Sequence, residues 1–284
     1  MMFFKKSGIT IQRINALWID GLIIIYYFFI CNSLTITLAG ALMQKYKNRN
    51  YRKKISAKGL ASFNVTVKET DLWVSAERDL SGETRDMVVE CRYQLENYIQ
   101  LHPVFLTTLN PYPVDPYAPF IVQEMISATR DIGVGPMASV AGAIAQLVAK
   151  DLLKSTDQVI IENGGDIFMK IRRDATISIF AGDSPLSEKI GIRIPAKMMP
   201  IGICSSSGKV GHSLSMGSTD VITVLSTSAI RADGAATALG NMIKTKTDLE
   251  KAPGWADAMG GILGGVAILD DTMATWGDIE LVAL

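Results

Sequence analysis

A two-residue alternation of apolar and polar positions opens the structured part of the chain. In Ser62–Thr70, Phe63, Val65 and Val67 fall on one side with polar residues between them, the mark of a half-buried strand. Asp71–Ala76 continues that strand or pairs with it. The period then lengthens. Thr84–Leu101 brings Val88, Cys91, Leu95 and Tyr98/Ile99 to one face at helical spacing, which makes Cys91 a core residue. Leu101–Pro119 holds five prolines and reads as a long ordered loop without regular structure, with His102 at its edge as a surface or capping residue. Phe120–Asp131 predicts a short helix with Ile121, Met125 and Ala128 inward. Gly133-Val134-Gly135-Pro136 then leads into a strongly apolar helix to about Leu153, with Pro136 suited to its first turn.

The second half reads mostly as strands. Gln158–Ile171 is strand, Gly164-Gly165 turn, strand. Thr176–Ala181, Lys189–Pro195, Gly202–Ser207, Val221–Ser226, Gly260–Leu269 and Trp276–Leu281 follow the same pattern. Between the fourth and fifth of these lies Ile230–Asn241, a small-residue helix start. At the other end of the chain, Gly21–Leu42 is a run of 22 residues without a charge, long enough to span a bilayer. Three readings apply. It is an anchor that leaves the main domain cytoplasmic, since the heavier basic cluster (Lys45, Lys47, Arg49, Arg52, Lys53, Lys54) follows it. It is a signal peptide ending at Ala39-Gly40-Ala41. Or it lies outside the working protein, which starts at Met43. The last is preferred, because nothing downstream requires a membrane. It divides the chain into an apolar segment, 1–42, and a single cytoplasmic domain, 43–284.

Composition narrows the classes. Lysine plus arginine and aspartate plus glutamate balance at 28 each, so no overall field draws the chain to nucleic acid. At 48% hydrophobic residues a sizeable core is expected. Cys31, Cys91 and Cys204 are too far apart for a disulfide framework or a metal cluster. Two histidines, His102 and His212, argue against a histidine-rich zinc or iron site.

Four stretches carry candidate chemistry. In IRADGAATALGN, Asp233 and Thr237 stand four residues apart and share a helix face. Two hard oxygens suit Mg²⁺ or Ca²⁺; the plainer reading is an aspartate capping the helix N-terminus. Gly133 and Gly135 precede a helix start that leaves N–H groups free for a phosphate, or else they allow close packing. The letters fit G-x-G-x-x-A, but no strand precedes them. Glu162-Asn163-Gly164-Gly165-Asp166 ends a buried strand and serves either as a site or as an ordinary turn. Ser205, Ser206 and Ser207, with His212 shortly after, offer hydroxyls and an imidazole to a phosphate or ribose. A Cys204–His212 nucleophile pair is the minor alternative, since Cys204 sits in an apolar strand.

Taken in order, IIENGGDIF (160–168), GICSSSG (202–208), His212 before a strand, VITVLS and RADGAATAL resemble the FAD:protein FMN transferases, the ApbE-like proteins. KETDLW (68–73), GVGPMA (133–138) and IENGGDIF (161–168) resemble more closely an uncharacterised ApbE-like family. That likeness covers nearly everything after Met43. It implies an α+β fold of mixed or antiparallel sheets with packed helices. It also implies Mg²⁺ on Asp233 and Thr237, and FAD or a related nucleotide beside Gly164, Gly165 and Asp166, with the serines and His212 nearby. In the transferases the metal bridges the FAD pyrophosphate, and FMN passes to a threonine of a protein acceptor. Two departures stand out. AGAIAQ (141–146) replaces a lysine-glycine pair, with no basic residue before Lys150. Ser213–Gly217 replaces a D-P-x-T-G stretch. The FAD contacts of that family therefore do not carry over directly.

Overall fold

The computed structural model describes residues 59–208 and 218–284. The Gly21–Leu42 run, Cys31 and His212 lie outside the described residues. Among the described residues no helix is long and apolar enough to cross a membrane.

Eleven strands and seven α-helices are described, in two sheets. The helices are α1 (Ser81–Leu101), α2 (Pro103–Thr107), α3 (Phe120–Arg130), α4 (Val140–Leu152), α5 (Ala229–Met242), α6 (Lys246–Leu249) and α7 (Ala252–Met259). The large sheet takes β1 (Ala61–Val67), β2 (Thr70–Ala76), β3 (Val159–Asn163), β4 (Asp166–Lys170), β7 (Ile201–Ser206), β8 (Val221–Ser226), β9 (Gly264–Leu269) and β10 (Thr272–Gly277), in that spatial order. Each neighbouring pair is antiparallel. A small sheet holds β5 (Ala175–Ser178), β6 (Ile190–Ile194) and β11 (Glu280–Ala283), also antiparallel and ordered β11-β6-β5. The fold is thus α+β, and its described sheets are wholly antiparallel rather than mixed.

Alternation along each central strand feeds two separate cores. Phe168, Cys204, Ile222 and Val224 face the helices α1, α3, α4 and α5. Their neighbours Met169, Ile203, Val221 and Leu225 face the other way, onto Ile192 and Ile194 of the small sheet. A strand covered on both faces reads as an unbroken apolar run, which is why VITVLS is buried at every position. Each large side chain so buried contributes about 1.5–3 kcal/mol.

Three expectations need correction, while His102 takes the capping place expected of it. The proline-rich stretch does contain regular structure, the five-residue helix α2, because Pro103 occupies the first helical position, where a missing N–H is harmless. His102 joins α1 to α2 and stacks on Tyr98, with ring centroids 4.2 Å apart. Trp276–Leu281 is not one closing strand. Gly277, at φ +73°, ends β10, and the chain crosses to the other sheet as β11. The run from Gly260 becomes strand only at Gly264, after the unforeseen helix α7.

Candidate functional site

The site is built where one end of the large sheet meets the first turns of α4 and α5. β3 and β4 are joined by a two-residue turn at Gly164 (φ +68°) and Gly165 (φ +111°). Positive φ at both central positions requires glycine, so the turn alone explains the pair. Space beside Gly165 is open, with no atom within 4 Å of where a Cβ would stand. Glu162 closes the turn by accepting from the Gly165 N–H at 2.9 Å. Asn163 donates to the Ala141 carbonyl at 3.1 Å and ties the turn to α4.

Asp166 opens β4 on the helix-facing side, opposite in sense to Glu162. Ile167 pairs with Ile203, so continuing that register sets Asp166 beside Cys204 and the glycine turn beside Ser205 and Ser206. Asp166 accepts from the Ser205 N–H at 3.3 Å. Its carboxyl is pushed well above the usual carboxylate range, first by burial and then by the negative charge of Asp233.

Asp233 is buried in the second turn of α5, whose N-cap is Ser228 rather than Asp233. The aspartate does cap a helix, but a different one: its carboxylate accepts the Gly142 N–H at 2.8 Å, in the first turn of α4. Burial lifts its pKa to about 7, against the lowering effect of the Gly142 and Ala141 N–H groups. The favour is returned. Gln146 of α4, itself buried, accepts the Ala229 N–H at the start of α5 at 2.7 Å. Each helix thus satisfies an N–H that the other's first turn leaves free. Contact this close needs Gly142, where a Cβ would stand 2.3 Å from the Ala229 carbonyl oxygen and 2.9 Å from the Asp233 Cβ. It also needs Gly202 of β7, where a Cβ would stand 2.3 Å from the Ala229 Cα. Gln146 and Gly202 were not singled out from the sequence; their spacing carries no signal without the partner helix.

The remaining candidates divide. Thr237 is half-buried one turn beyond Asp233 on the same helix. Ser206 faces the same side as Cys204 and Asp166, buried, and its hydroxyl finds no hydrogen-bond partner among the described residues. Ser205 points to the opposite face and shares a hydrogen bond with Thr223 at 2.9 Å; Ser207 is half-buried past the strand end. Gly133, at φ +88°, terminates α3 by donating to Thr129. Gly135 lies where a Cβ would collide with the Thr108 carbonyl oxygen at 1.9 Å. Gly133 is thus explained by its backbone angle and Gly135 by packing, and neither reason involves a ligand. Cys204 donates to the Ala229 carbonyl at 3.3 Å, and burial beside two acids holds its thiol far above the usual range, which opposes a thiolate nucleophile.

What the cluster offers is oxygen. Burial raises both Asp166 and Asp233, and the charge of Asp233 raises Asp166 further. Among the described residues no set of three or more His, Cys, Asp or Glu forms a closed metal cage. Asp166, Asp233 and Thr237 are the oxygens here that could hold a cation, a division of two carboxylates and one hydroxyl. That division suits Mg²⁺, which is commonly held by one or two carboxylates plus substrate phosphates.

Sheet, helices and site together define an α+β protein with a paired-carboxylate centre at the sheet end. The family described as AbpE bacteria matches residues 52–259, and the chain belongs to it. A UPF0280 protein of Methanocaldococcus jannaschii is 36% identical over 225 residues, covering 77% of this chain and 91% of its own. One of Methanococcus maripaludis is 41% identical over 181 residues, covering 62% and 73% respectively. Among solved structures, the chain is similar to the apo flavinyl transferase ApbE of Pseudomonas stutzeri. The TM-score is 0.46 at 15% identity, over 76% of this chain and 93% of that one. The flavin transferase ApbE of Vibrio cholerae gives 0.44 at 13%, over 79% and 96%.

Proposed function

We propose that the chain is a Mg²⁺-dependent, flavin-transferase-like enzyme acting on FAD or a related nucleotide pyrophosphate. The reading rests on one observation above all: Asp166 and Asp233, from a strand and a helix far apart in sequence, are both buried, and the charge of Asp233 acts on Asp166 beside an open glycine turn. Like charges so placed are relieved by a divalent cation. Asp166, Asp233 and Thr237 would hold it. When bound, Mg²⁺ neutralises the charge that develops on the pyrophosphate oxygens.

The chain's own contributions follow from position. Gly164 and Gly165 let the ligand approach the backbone. The unpartnered Ser206 hydroxyl is available to a phosphate or ribose oxygen. Gly133, Gly135, Ser205, Ser207 and His212 stay candidates for more distant contacts. Asn163 and Gln146 hold the turn and α5 so that the two carboxylates converge. If a group is transferred, a protein acceptor is its destination. The working domain is 43–284, cytoplasmic, with an anchored form as the alternative for residues 1–42; the family match beginning at residue 52 supports that division.

A second reading, a flavin- or nucleotide-binding protein without transfer, has its own support. Where the transferases carry a lysine-glycine pair early in this helix, AGAIAQ (141–146) offers no basic residue before Lys150. The two readings separate on purified protein. FAD should raise the melting temperature only with Mg²⁺ under either. AMP release from FAD, absent in Asp233→Asn, belongs to the enzyme alone. A protein whose melting responds to neither FAD nor Mg²⁺ would refute both.

A further inference from the structure

Exposed large apolar side chains are concentrated in one stretch of the chain, from the middle of α1 to the start of α3. Nine of the thirteen large hydrophobic side chains exposed among the described residues lie between Val89 and Phe120. Leu101, Val104, Leu109, Val114, Tyr117 and Phe120 all fall within 20 residues, Leu101 79% and Tyr117 96% exposed. Val89 and Tyr93, four residues apart, continue the surface along one face of α1.

This surface is held in shape before anything docks on it. Tyr98 donates to Asp115 at 2.9 Å and stacks on His102. Phe105 is fully buried and packs edge-on against both Tyr98 and Tyr112. The Gly135 N–H donates to the Leu109 carbonyl at 2.9 Å and pins the far end. Five prolines stiffen the rest. A preorganised surface gives up little entropy on association.

We infer that this face binds a second copy of the chain through a two-fold, like-on-like contact. Side chains of these sizes, each exposing on the order of 100 Å², offer roughly 800 Å² per protomer, the share a standard stable interface takes from each partner. In a two-fold contact each patch meets itself, so an unpaired charge would face its like. Between residues 101 and 120 the only carboxylate is Asp115, already bonded to Tyr98 and to the Tyr117 N–H, and there is no lysine or arginine. A bilayer surface would call for lysine and arginine, and residues 101–120 hold neither; the exposed charges near Val89 on α1 are Arg85, Asp86 and Glu90, of both signs.

The test is sedimentation of the full-length chain in mild detergent, with Leu101→Asp and Tyr117→Asp beside it. Both positions are exposed, so the variants should melt as wild type does. The expected result is a dimer whose dissociation constant rises at least tenfold in either variant. In parallel, Tyr117→Cys should be joined into dimers by a short bismaleimide above the background set by wild type and by the exposed Glu250→Cys. A wild type that stays monomeric at tens of micromolar overturns the inference. So does a dimer indifferent to both aspartates, a Tyr117→Cys that joins no better than Glu250→Cys, or variants that lose vesicle binding without a change of mass.

Discussion

Asp233 serves two ends that a single substitution can separate. Its carboxylate caps α4 through Gly142 and, on the proposed reading, holds the metal. Asp233→Asn keeps an oxygen for the Gly142 N–H, whereas Asp233→Ala removes it and leaves a buried donor unpaired. Urea unfolding without metal should show the alanine variant losing about 1–3 kcal/mol and the asparagine variant distinctly less. Both should abolish the Mg²⁺-dependent rise in melting temperature produced by FAD. Equal destabilisation by the two would remove the capping role.

The same carboxyls set a pH dependence whose sign is opposite to that of an ordinary surface acid. Asp233, at about 7, and Asp166, also raised, keep protons in the folded state that the unfolded chain releases near the ordinary aspartate value of 3.8. Their contribution to stability is present below that value and is lost as pH rises to about 7. Asp248 runs the other way. Held near 2 by Thr245 and Lys251, it contributes above the ordinary aspartate range and loses that contribution as pH falls through about 2. Asp233 keeps its proton in the folded state up to about pH 7, so the urea midpoint of metal-free protein should fall as pH rises from about 5 to 7. Asp233→Asn should flatten the fall; a slope unchanged by that variant would place the protons elsewhere.

Among elements, the α4–α5 pair decides whether the two carboxylates meet. Gln146→Leu would leave the Ala229 N–H buried without an acceptor and should cost about 1–3 kcal/mol. Gly142→Ala should destabilise by a similar amount through overpacking, about 1–3 kcal/mol. If the helix pair positions Asp233, both variants should weaken Mg²⁺ in the melting assay more than they weaken FAD at saturating Mg²⁺. A loss of stability with Mg²⁺ affinity intact would make Gln146 merely structural. Arg231 is a comparable fastening on the other side of α5, donating to the Gly260 carbonyl at 2.8 Å and to Met259 at the end of α7.

For the molecule as a whole, chain starting at Met43 should melt within a few degrees of full-length protein and stay in solution without detergent. Equilibrium melting in both forms checks this, and aggregation of the shorter chain alone would favour the anchor. Much of the fold was legible in residues because its signals are local. A period of two marked β1, a helical period marked α1, and paired glycines marked the β3–β4 turn. Misreadings arose where local letters were ambiguous: five prolines hid α2, and a strand-like ending hid the crossing from β10 to β11. Asp233 was legible as a site residue but not as the cap of another helix, since its partner Gly142 lies 91 residues away. What the sequence determined on its own was periodicity and turn chemistry, which depend on neighbours along the chain. Only the tertiary structure decided that Asp166 faces Asp233, that Ser206 turns inward while Ser205 turns away, and that Gly142 and Gly202 exist to admit α5. Those outcomes depend on strand register and helix approach, and a shift of one residue would reverse each of them.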